Sequence, residues 1–68
     1  MKRYFKHKEP DYPCVWIIDG LQNGDKIVAK FKDGFADDIE HTVSSLWRQN
    51  IRTGVLIEIP EAEFVLLI

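Results

Sequence analysis

Residues 14–32, CVWIIDGLQNGDKIVAKFK, contain the clearest local pattern in the chain. Two runs rich in apolar and β-branched residues flank Asn23-Gly24, the dipeptide favoured in the type I′ turn of a β-hairpin. Centring the turn on this dipeptide predicts the pairs Gln22 with Asp25, Ile18 with Ala29, and Trp16 with Phe31. One face of the hairpin then holds the apolar side chains of Trp16, Ile18, Ile27, Ala29 and Phe31. The stretch therefore predicts a hairpin with one core-forming face.

The other face of this hairpin is mixed in character. Three aliphatic residues lie there beside three lysines: Val15, Ile17 and Val28 with Lys26, Lys30 and Lys32. Apolar side chains on both faces of a strand require a layer on each side. We therefore expect a second layer of this chain, or another chain, to cover part of this face.

The N-terminal segment differs from the rest of the chain in charge. Residues 1–8 contain Lys2, Arg3, Lys6 and Lys8 and no acid. Prolines 10 and 13 follow, and a proline restricts the residue before it to extended geometry. We predict one small domain, residues 1–68, with a basic N-terminal edge segment 1–8 that contains an edge strand at residues 3–7.

Composition and charge exclude several classes of protein. With 46% hydrophobic and 29% charged residues, the chain has the composition of a soluble globular domain. Nine basic and eleven acidic residues give a net charge of -2, which argues against binding of a polyanion by bulk charge. The longest apolar run, Phe64–Ile68, is far shorter than the ~20 residues of a membrane span. We expect no membrane association and a cytoplasmic location, in a prokaryotic or virus-infected cell.

A helix is predicted after the hairpin, and its start has two interpretations. In the favoured one, Asp37 caps the helix and Glu40 follows three residues later, which is the spacing of a capping box. Apolar residues then recur at helical spacing: Ile39, Val43, Leu46, Trp47 and Ile51. Gly54 is a typical C-terminal stop signal for such a helix.

In the second interpretation, Asp33-Gly34 is another hairpin turn and residues 35–40 form a third strand. The helix then begins only near Thr42. We favour the first interpretation because a six-residue strand with three acids has poor β propensity.

The C-terminal stretch predicts two strands, Val55–Ile59 and Phe64–Ile68, separated by a turn that begins at Pro60. A strand, a proline-led turn and a closing apolar strand resemble the end of SH3-like small barrels, and residues 24–29 resemble the entry of a barrel strand. We predict an α+β fold, a small twisted antiparallel sheet of four to five strands with one amphipathic helix. The alternative is an SH3-like small β-barrel.

Catalytic and metal-binding patterns are weak in this sequence. Asp37 and His41 are one helical turn apart in the favoured interpretation and form the geometry of a two-ligand metal site, but acids in a first helical turn are expected on dipole grounds alone. Cys14 opens an apolar strand, which favours a small buried core residue over an activated thiol. Gly20, Gly24 and Gly34 lie at turn positions and form no phosphate-binding motif. We expect no enzyme activity, no cofactor and no metal.

Two charged surfaces are the candidate binding sites. One candidate site would bind an anionic partner. It combines the N-terminal cations and the aromatic residue between them with the lysines of the hairpin: Arg3, Tyr4, Lys6, Lys26, Lys30 and Lys32. The other candidate site would bind a basic partner through the acids Asp37, Asp38 and Glu40. Cations beside aromatic rings are also typical of nucleic-acid binding.

The apolar residues predicted on both faces favour contact with another protein. We predict a small non-enzymatic binding or regulatory protein, an adaptor or inhibitor of prokaryotic or viral type, that binds a partner protein or self-associates. The alternative is a nucleic-acid-binding module that uses the cationic sheet face.

Overall fold

The computed structural model describes residues 1–34 and 37–68. Its elements, in chain order, are β1 (Lys2–His7), β2 (Cys14–Asp19), β3 (Lys26–Phe31), β4 (Ile39–Thr42), α1 (Ser45–Arg52), β5 (Leu56–Ile59) and α2 (Glu61–Leu67). The five strands form one sheet in the order β4-β3-β2-β1-β5, and every neighbouring pair is antiparallel. The predicted class, a small α+β fold with an antiparallel sheet, is confirmed.

The SH3-like barrel alternative is wrong, because the sheet is not closed. Within the described residues, β4 and β5 are the two edges of the sheet. The sheet has a helix against each face, where the sequence predicted one helix in all. Two helical layers bury apolar side chains on both faces of an open sheet, so closure is not needed for that purpose.

The β2–β3 hairpin has the predicted faces but a different register. Ile18 pairs with Ile27 and Trp16 with Ala29, two residues away from the predicted partners. The type I′ turn is wrong: it needs positive φ at both central residues, and Gly24 has φ 95 whereas every described non-glycine residue has negative φ. A shift of two residues keeps each side chain on its face, so the predicted core face survives.

The first face of the sheet packs against α1. Its buried residues are Phe5, Cys14, Trp16, Ile18, Ile27, Ala29, Val43 and Leu56. Trp47 and Ile51 of α1 pack against this cluster, and the rings of Trp16 and Trp47 meet edge to face with centroids 5.9 Å apart. The apolar spacing predicted for the helix therefore holds at Trp47 and Ile51.

The second face packs against α2. Val15, Ile59 and Phe64 are buried there, with half-buried Tyr4, Ile17 and Leu67 around them. The Tyr4 and Phe64 rings lie 4.8 Å apart. The expectation that another layer of the chain covers part of this face is confirmed, and that layer is α2.

The favoured interpretation of residues 37–51 is wrong, because Ile39–Thr42 is strand β4 and the helix begins only at Ser45. The second interpretation is the closer one, although its proposed strand includes residues 35 and 36, which lie outside the described residues. Strand pairing with β3 aligns Glu40 with Val28, and Glu40 forms an ion pair with the diagonal neighbour Lys26. Such cross-strand pairs offset the poor β propensity of the acids. The helix ends as predicted before Gly54, which has φ 86.

Two terminal predictions are also wrong. The N-terminal segment is not a sheet edge, because β1 lies between β2 and β5. Residues 61–67 form helix α2 instead of a closing strand. The helix begins after Pro60 with Glu61 and Glu63 in its first turn, where acids interact favourably with the helix dipole.

The connection between β1 and β2 is held to the first face by aromatic stacking. The His7 and Tyr12 rings are nearly parallel, at 9° and 4.2 Å, and Tyr12 lies 5.4 Å from Trp16. The backbone N–H of Glu9 donates to Nδ1 of His7 over 3.0 Å. The two-proline connection is therefore folded onto the sheet.

Candidate functional site

The predicted cationic surface is largely neutralised by acids of the same chain. Each polar group named for an anionic partner has an acceptor within the described residues: Arg3 with Glu58, Tyr4 with Glu61, Lys6 with Glu63, Lys26 with Glu40, Lys30 with Asp38, and Lys32 with the carbonyl oxygen of Pro10. The Lys6–Glu63 and Lys26–Glu40 pairs both measure 2.8 Å. These groups are thus part of the contacts that hold β1, β3, β4, β5 and α2 together.

The two predicted charged surfaces overlap at two ion pairs. Asp38 and Glu40, predicted to bind a basic partner, are instead the partners of Lys30 and Lys26, on the β3–β4 half of the second face. Asp37 is exposed. Arg3 lies on the opposite face, since it pairs with Ile18 in the β1–β2 register. The structure therefore does not bring the six predicted anion-binding residues together on one face.

The ion pairs shift the pKa values of their members. The hydrogen bonds from Arg3 lower the pKa of Glu58, and the same bonds raise the pKa of Arg3. The hydrogen bond and charge of Glu40 raise the pKa of Lys26. The pKa of the Tyr4 hydroxyl is raised chiefly by its hydrogen bond to Glu61. All these groups keep their ordinary charge near neutral pH.

An exposed apolar surface lies on α2 and β5. Four exposed aliphatic side chains lie on β5, on α2 and at its C-cap, and we call them the α2/β5 apolar surface: Ile57, Val65, Leu66 and Ile68. Leu66 is 85% exposed and Val65 is 56% exposed. Phe64 and Leu67, on the other side of the same helix, pack on the sheet. Helix α2 is therefore apolar on its outer side as well as on its inner side.

Sequence reasoning did not predict this helical surface because it assigned residues 64–68 to a strand, either a closing central strand or an edge strand that pairs with a partner. The signal that could have found it is the sequence Pro60-Glu61-Ala62-Glu63, a typical helix start. On a helix, Phe64 and Leu67 share one side, and Val65 and Leu66 then face elsewhere. One short helix cannot bury all four of these residues against one sheet.

A pocket of about 250 Å³ adjoins the α2/β5 apolar surface. Its lining combines two aliphatic side chains with several basic ones: Ile57 and Leu67 with Lys6, His7, Lys8 and Lys32, and Pro10 at one side. Within the described part of the chain, the lining contains no acid. The pocket lies where β1 ends and β5 begins, because Lys6 pairs with Ile57 in the β1–β5 register.

A second feature that the sequence analysis did not single out is a polar stripe along α1. Ser45, Arg48, Gln49 and Arg52 line a shallow depression of about 240 Å³ on one side of the helix. The two arginines are one helical turn apart, and neither has an acid within ion-pair distance among residues 1–34 and 37–68. A basic stripe of this kind is the normal solvated side of a helix.

Cys14 is a buried core residue, as predicted, and is only 8% exposed. Desolvation is the main reason why the pKa of its thiol is raised, with a smaller contribution from the charge of Asp33. A raised pKa leaves the thiol protonated and unreactive near neutral pH.

Among residues 1–34 and 37–68, no three His, Cys, Asp or Glu side chains come close enough together to hold a metal ion. No helix in the described chain is both long enough and apolar enough to span a membrane. Comparisons with protein-family models, with curated proteins and with solved structures found no match to this chain.

Proposed function

We propose that the chain is a small non-enzymatic binding protein that acts through contact with another protein, as an adaptor or inhibitor of prokaryotic or viral type. The observation that supports this proposal is the α2/β5 apolar surface. Its four members are between 41% and 85% exposed and lie on β5, on α2 and at the C-cap of α2. Clustered exposed aliphatic residues are typical of interaction sites, whereas single ones are ordinary.

The charges around this surface also suit a protein contact. Glu61 and Glu63, in the first turn of α2, are held by Tyr4 and Lys6 through bonds of 3.0 and 2.8 Å. These bonds and the buried Phe64 fix the helix on the sheet, so its outer side is presented without further ordering. A rigid apolar site loses less conformational entropy on binding than a mobile one.

The nucleic-acid alternative has less support from the geometry. Four cations of the predicted surface are already paired with carboxylates, and a phosphate would have to displace those acids. Such displacement removes much of the counterion-release gain that drives nucleic-acid binding.

Affinity capture with a matched pair of variants tests the proposed surface. Leu66→Gln changes the outer side of α2, and Leu46→Gln is the control because Leu46 is a helical leucine, 62% exposed, on α1. With the tagged protein as bait in an extract of the source cells, we expect Leu66→Gln to reduce recovery of the specific partner about tenfold, equivalent to ~1.4 kcal/mol. We expect Leu46→Gln to leave recovery unchanged.

Self-association is measured on the same variants by sedimentation across a dilution series. If the wild type is a dimer that Leu66→Gln dissociates, the bound protein is a second copy of this chain. Equal recovery of the same proteins with wild type and Leu66→Gln, together with unchanged sedimentation, would rule out the α2/β5 apolar surface as the contact.

A further inference from the structure

The pocket of about 250 Å³ lies on the second face of the sheet, at the end where β1 and β3 finish. Lys6, Val15 and Lys30 form one row across that face, because Lys6 pairs with Val15 and Val15 with Lys30. Lys8 and Lys32 come two residues later, and side chains two residues apart along a strand share a face. The N–H groups of Lys8 and Lys32 form backbone hydrogen bonds of 2.9 Å to the adjoining chain, so these residues continue β1 and β3. Neighbouring strands are ~4.8 Å apart, which puts the two lysines about 10 Å apart across β2.

Two of the lysines in this pocket carry a positive charge that no acid compensates. Lys6 is not one of them, because it is paired with Glu63 at 2.8 Å. Lys32 donates one ammonium hydrogen to the carbonyl oxygen of Pro10 over 3.1 Å, and an ammonium group has three such donors. Neither Lys8 nor Lys32 has an acid within ion-pair distance in the part of the chain that the structure describes. Because both line the pocket, their side chains can approach one anion from opposite sides.

The lining also has an aliphatic side. Ile57 lies beside Lys6 in the β1–β5 register and is 41% exposed, and the half-buried Leu67 comes from α2. An inorganic anion would leave these two side chains in contact with water, whereas an aliphatic chain would cover them. The volume of about 250 Å³ is below the ~300 to 1,000 Å³ of sites for drug-sized ligands. The lining therefore suits a small group that carries a carboxylate and a short aliphatic chain.

We propose that this pocket is a binding site for a small aliphatic carboxylate, with the carboxylate between Lys8 and Lys32 and the aliphatic chain against Ile57 and Leu67. A lysine ammonium is a compact charge on a flexible stem, so two of them can adjust to one carboxylate. The same chemical group occurs in a free short-chain acid and in an aliphatic residue at the C-terminus of a partner chain. The inference goes beyond the proposed function, because the site does not require the outer side of α2.

Titration of the protein with three probes tests the two sides of the site. The probes are hexanoate, butanoate and the neutral analogue hexanamide, and binding is followed by the backbone amide signals in heteronuclear NMR spectra. Hexanoate is expected to bind at least about fourfold more tightly than butanoate, because more of its CH₂ groups are covered. It is expected to bind at least about fivefold more tightly than hexanamide, because the amide has no charge for the lysines. The signals of Lys8, Lys32 and Ile57 are expected to shift.

A matched pair of variants tests the charge. Lys8→Gln removes one of the two uncompensated ammonium groups and is expected to raise the dissociation constant of hexanoate at least about fivefold. Lys2→Gln is the control, since Lys2 is exposed at the other end of β1. It makes the same change in net charge and is expected to alter the dissociation constant less than about twofold.

A second matched pair tests the aliphatic side. Ile57→Ala shortens a side chain of the lining and is expected to weaken hexanoate binding at least about threefold. Val65→Ala is the control, because Val65 is an aliphatic residue of α2 that is 56% exposed and does not line the pocket. It is expected to leave binding unchanged. The dispersion of the amide spectrum shows that each variant is folded.

Three results would overturn the inference. The first is the absence of any shift at about 10 mM hexanoate, a concentration that reveals dissociation constants of millimolar order. The second is equal binding of hexanoate and hexanamide, or equal binding of hexanoate by wild type and Lys8→Gln. The third is a set of shifts confined to Val65 and Leu66, which would show adsorption on the α2/β5 apolar surface instead of binding in the pocket.

A peptide identifies the source of the carboxylate. The probe is acetyl-Ser-Gly-Ser-Leu with a free C-terminal carboxylate, and the same peptide with a C-terminal amide is its control. A lower dissociation constant for the acid peptide than for hexanoate identifies the C-terminus of a partner chain, and the reverse order identifies a free acid. Either order supports the inference when the dependence on Lys8 and Ile57 holds.

Failure of this inference is separable from failure of the proposed function, because Leu66 does not line the pocket. If Leu66→Gln abolishes partner capture but neither hexanoate nor the acid peptide binds, the contact surface stands and the carboxylate inference is wrong. If hexanoate binds with the expected Lys8 dependence but Leu66→Gln leaves capture unchanged, the α2/β5 apolar surface is wrong as the contact and the pocket stands.

Discussion

Arg3 and Glu58 connect β1 to the edge strand β5 through two parallel hydrogen bonds. Nε of Arg3 lies 2.9 Å from one carboxylate oxygen of Glu58, and Nη2 lies 2.8 Å from the other. This bidentate geometry is the one that gives an ion pair measurable strength. The two side chains are 31% and 48% exposed, so solvent screens the pair and limits its contribution.

Removing this carboxylate should lower stability in a pH-dependent way. Because the pKa of Glu58 is lowered in the fold, its stabilisation is present above the unfolded pKa and is lost as the pH falls through the lowered folded value. We expect Glu58→Gln to reduce the free energy of unfolding by about 0.2 to 1 kcal/mol at pH 7. The difference from wild type should shrink below pH 4.5, the ordinary value for this group.

Urea denaturation at several pH values measures this effect. Glu9→Gln is the control, because Glu9 is exposed and its carboxylate forms no ion pair within the described residues. We expect the control to match wild type throughout. A Glu58→Gln deficit that is the same at pH 3 and pH 7 would show that the ion pair is not its cause.

Among the secondary-structure elements, those predicted correctly are the ones whose local sequence favours the same structure that the packing of the whole chain requires. β2 and β3 have β-branched residues, a turn between them and one apolar face, and all three signals favour a hairpin. The register failed because Asn23-Gly24 was assigned to a turn type that needs positive φ at Asn23. The alternation of side chains between the two faces has a period of two residues, so it cannot reveal a register error of two residues.

The failures at β4 and α2 have tertiary causes. Glu40 is a poor strand former by itself, and its pairing with Lys26 is visible only once β4 lies beside β3. For α2, an apolar run of five residues is compatible with a buried strand or with a helix, and periodicity cannot separate the two at that length. The α2 part of the candidate contact surface was not predicted for the same reason, because Val65 and Leu66 are exposed together on the outer side of a helix, Glu61–Leu67.

The attachment of α2 depends on Phe64, which is 3% exposed and packs on Tyr4 and Val15. Truncation of a buried phenylalanine removes about 3 to 5 kcal/mol of stability, which is comparable to the ~3 to 5 kcal/mol that one core of this size supplies. We therefore expect Phe64→Ala to be largely unfolded at 25 °C by circular dichroism. Leu66→Ala, two residues later on the exposed side of α2, should melt like wild type. Equal melting of the two variants would contradict the packing of α2 on this face.

At the scale of the whole molecule, acids and bases that are separated along the chain are brought together. The N-terminal cations of β1 meet acids of β5 and α2, and the lysines of β3 meet acids of β4 and the residues before it. The sequence predicted which residues are charged, and it predicted their uneven distribution. It did not predict their pairing, because the pairing depends on the β4-β3-β2-β1-β5 order.

This pairing leads to a prediction about nucleic acids. With a net charge of -2 and four of its cations in ion pairs, the protein should show no salt-steep binding to single- or double-stranded DNA or RNA at low ionic strength. Electrophoretic mobility shift and fluorescence anisotropy at about 20 mM salt, where electrostatic binding is strongest, are the measurements. If binding is observed, Lys30→Glu with Lys32→Glu tests the sheet face and Arg48→Glu with Arg52→Glu tests α1. Loss in the lysine variant alone would place the nucleic-acid site on the sheet face that holds Lys30 and Lys32, and the prediction would be wrong.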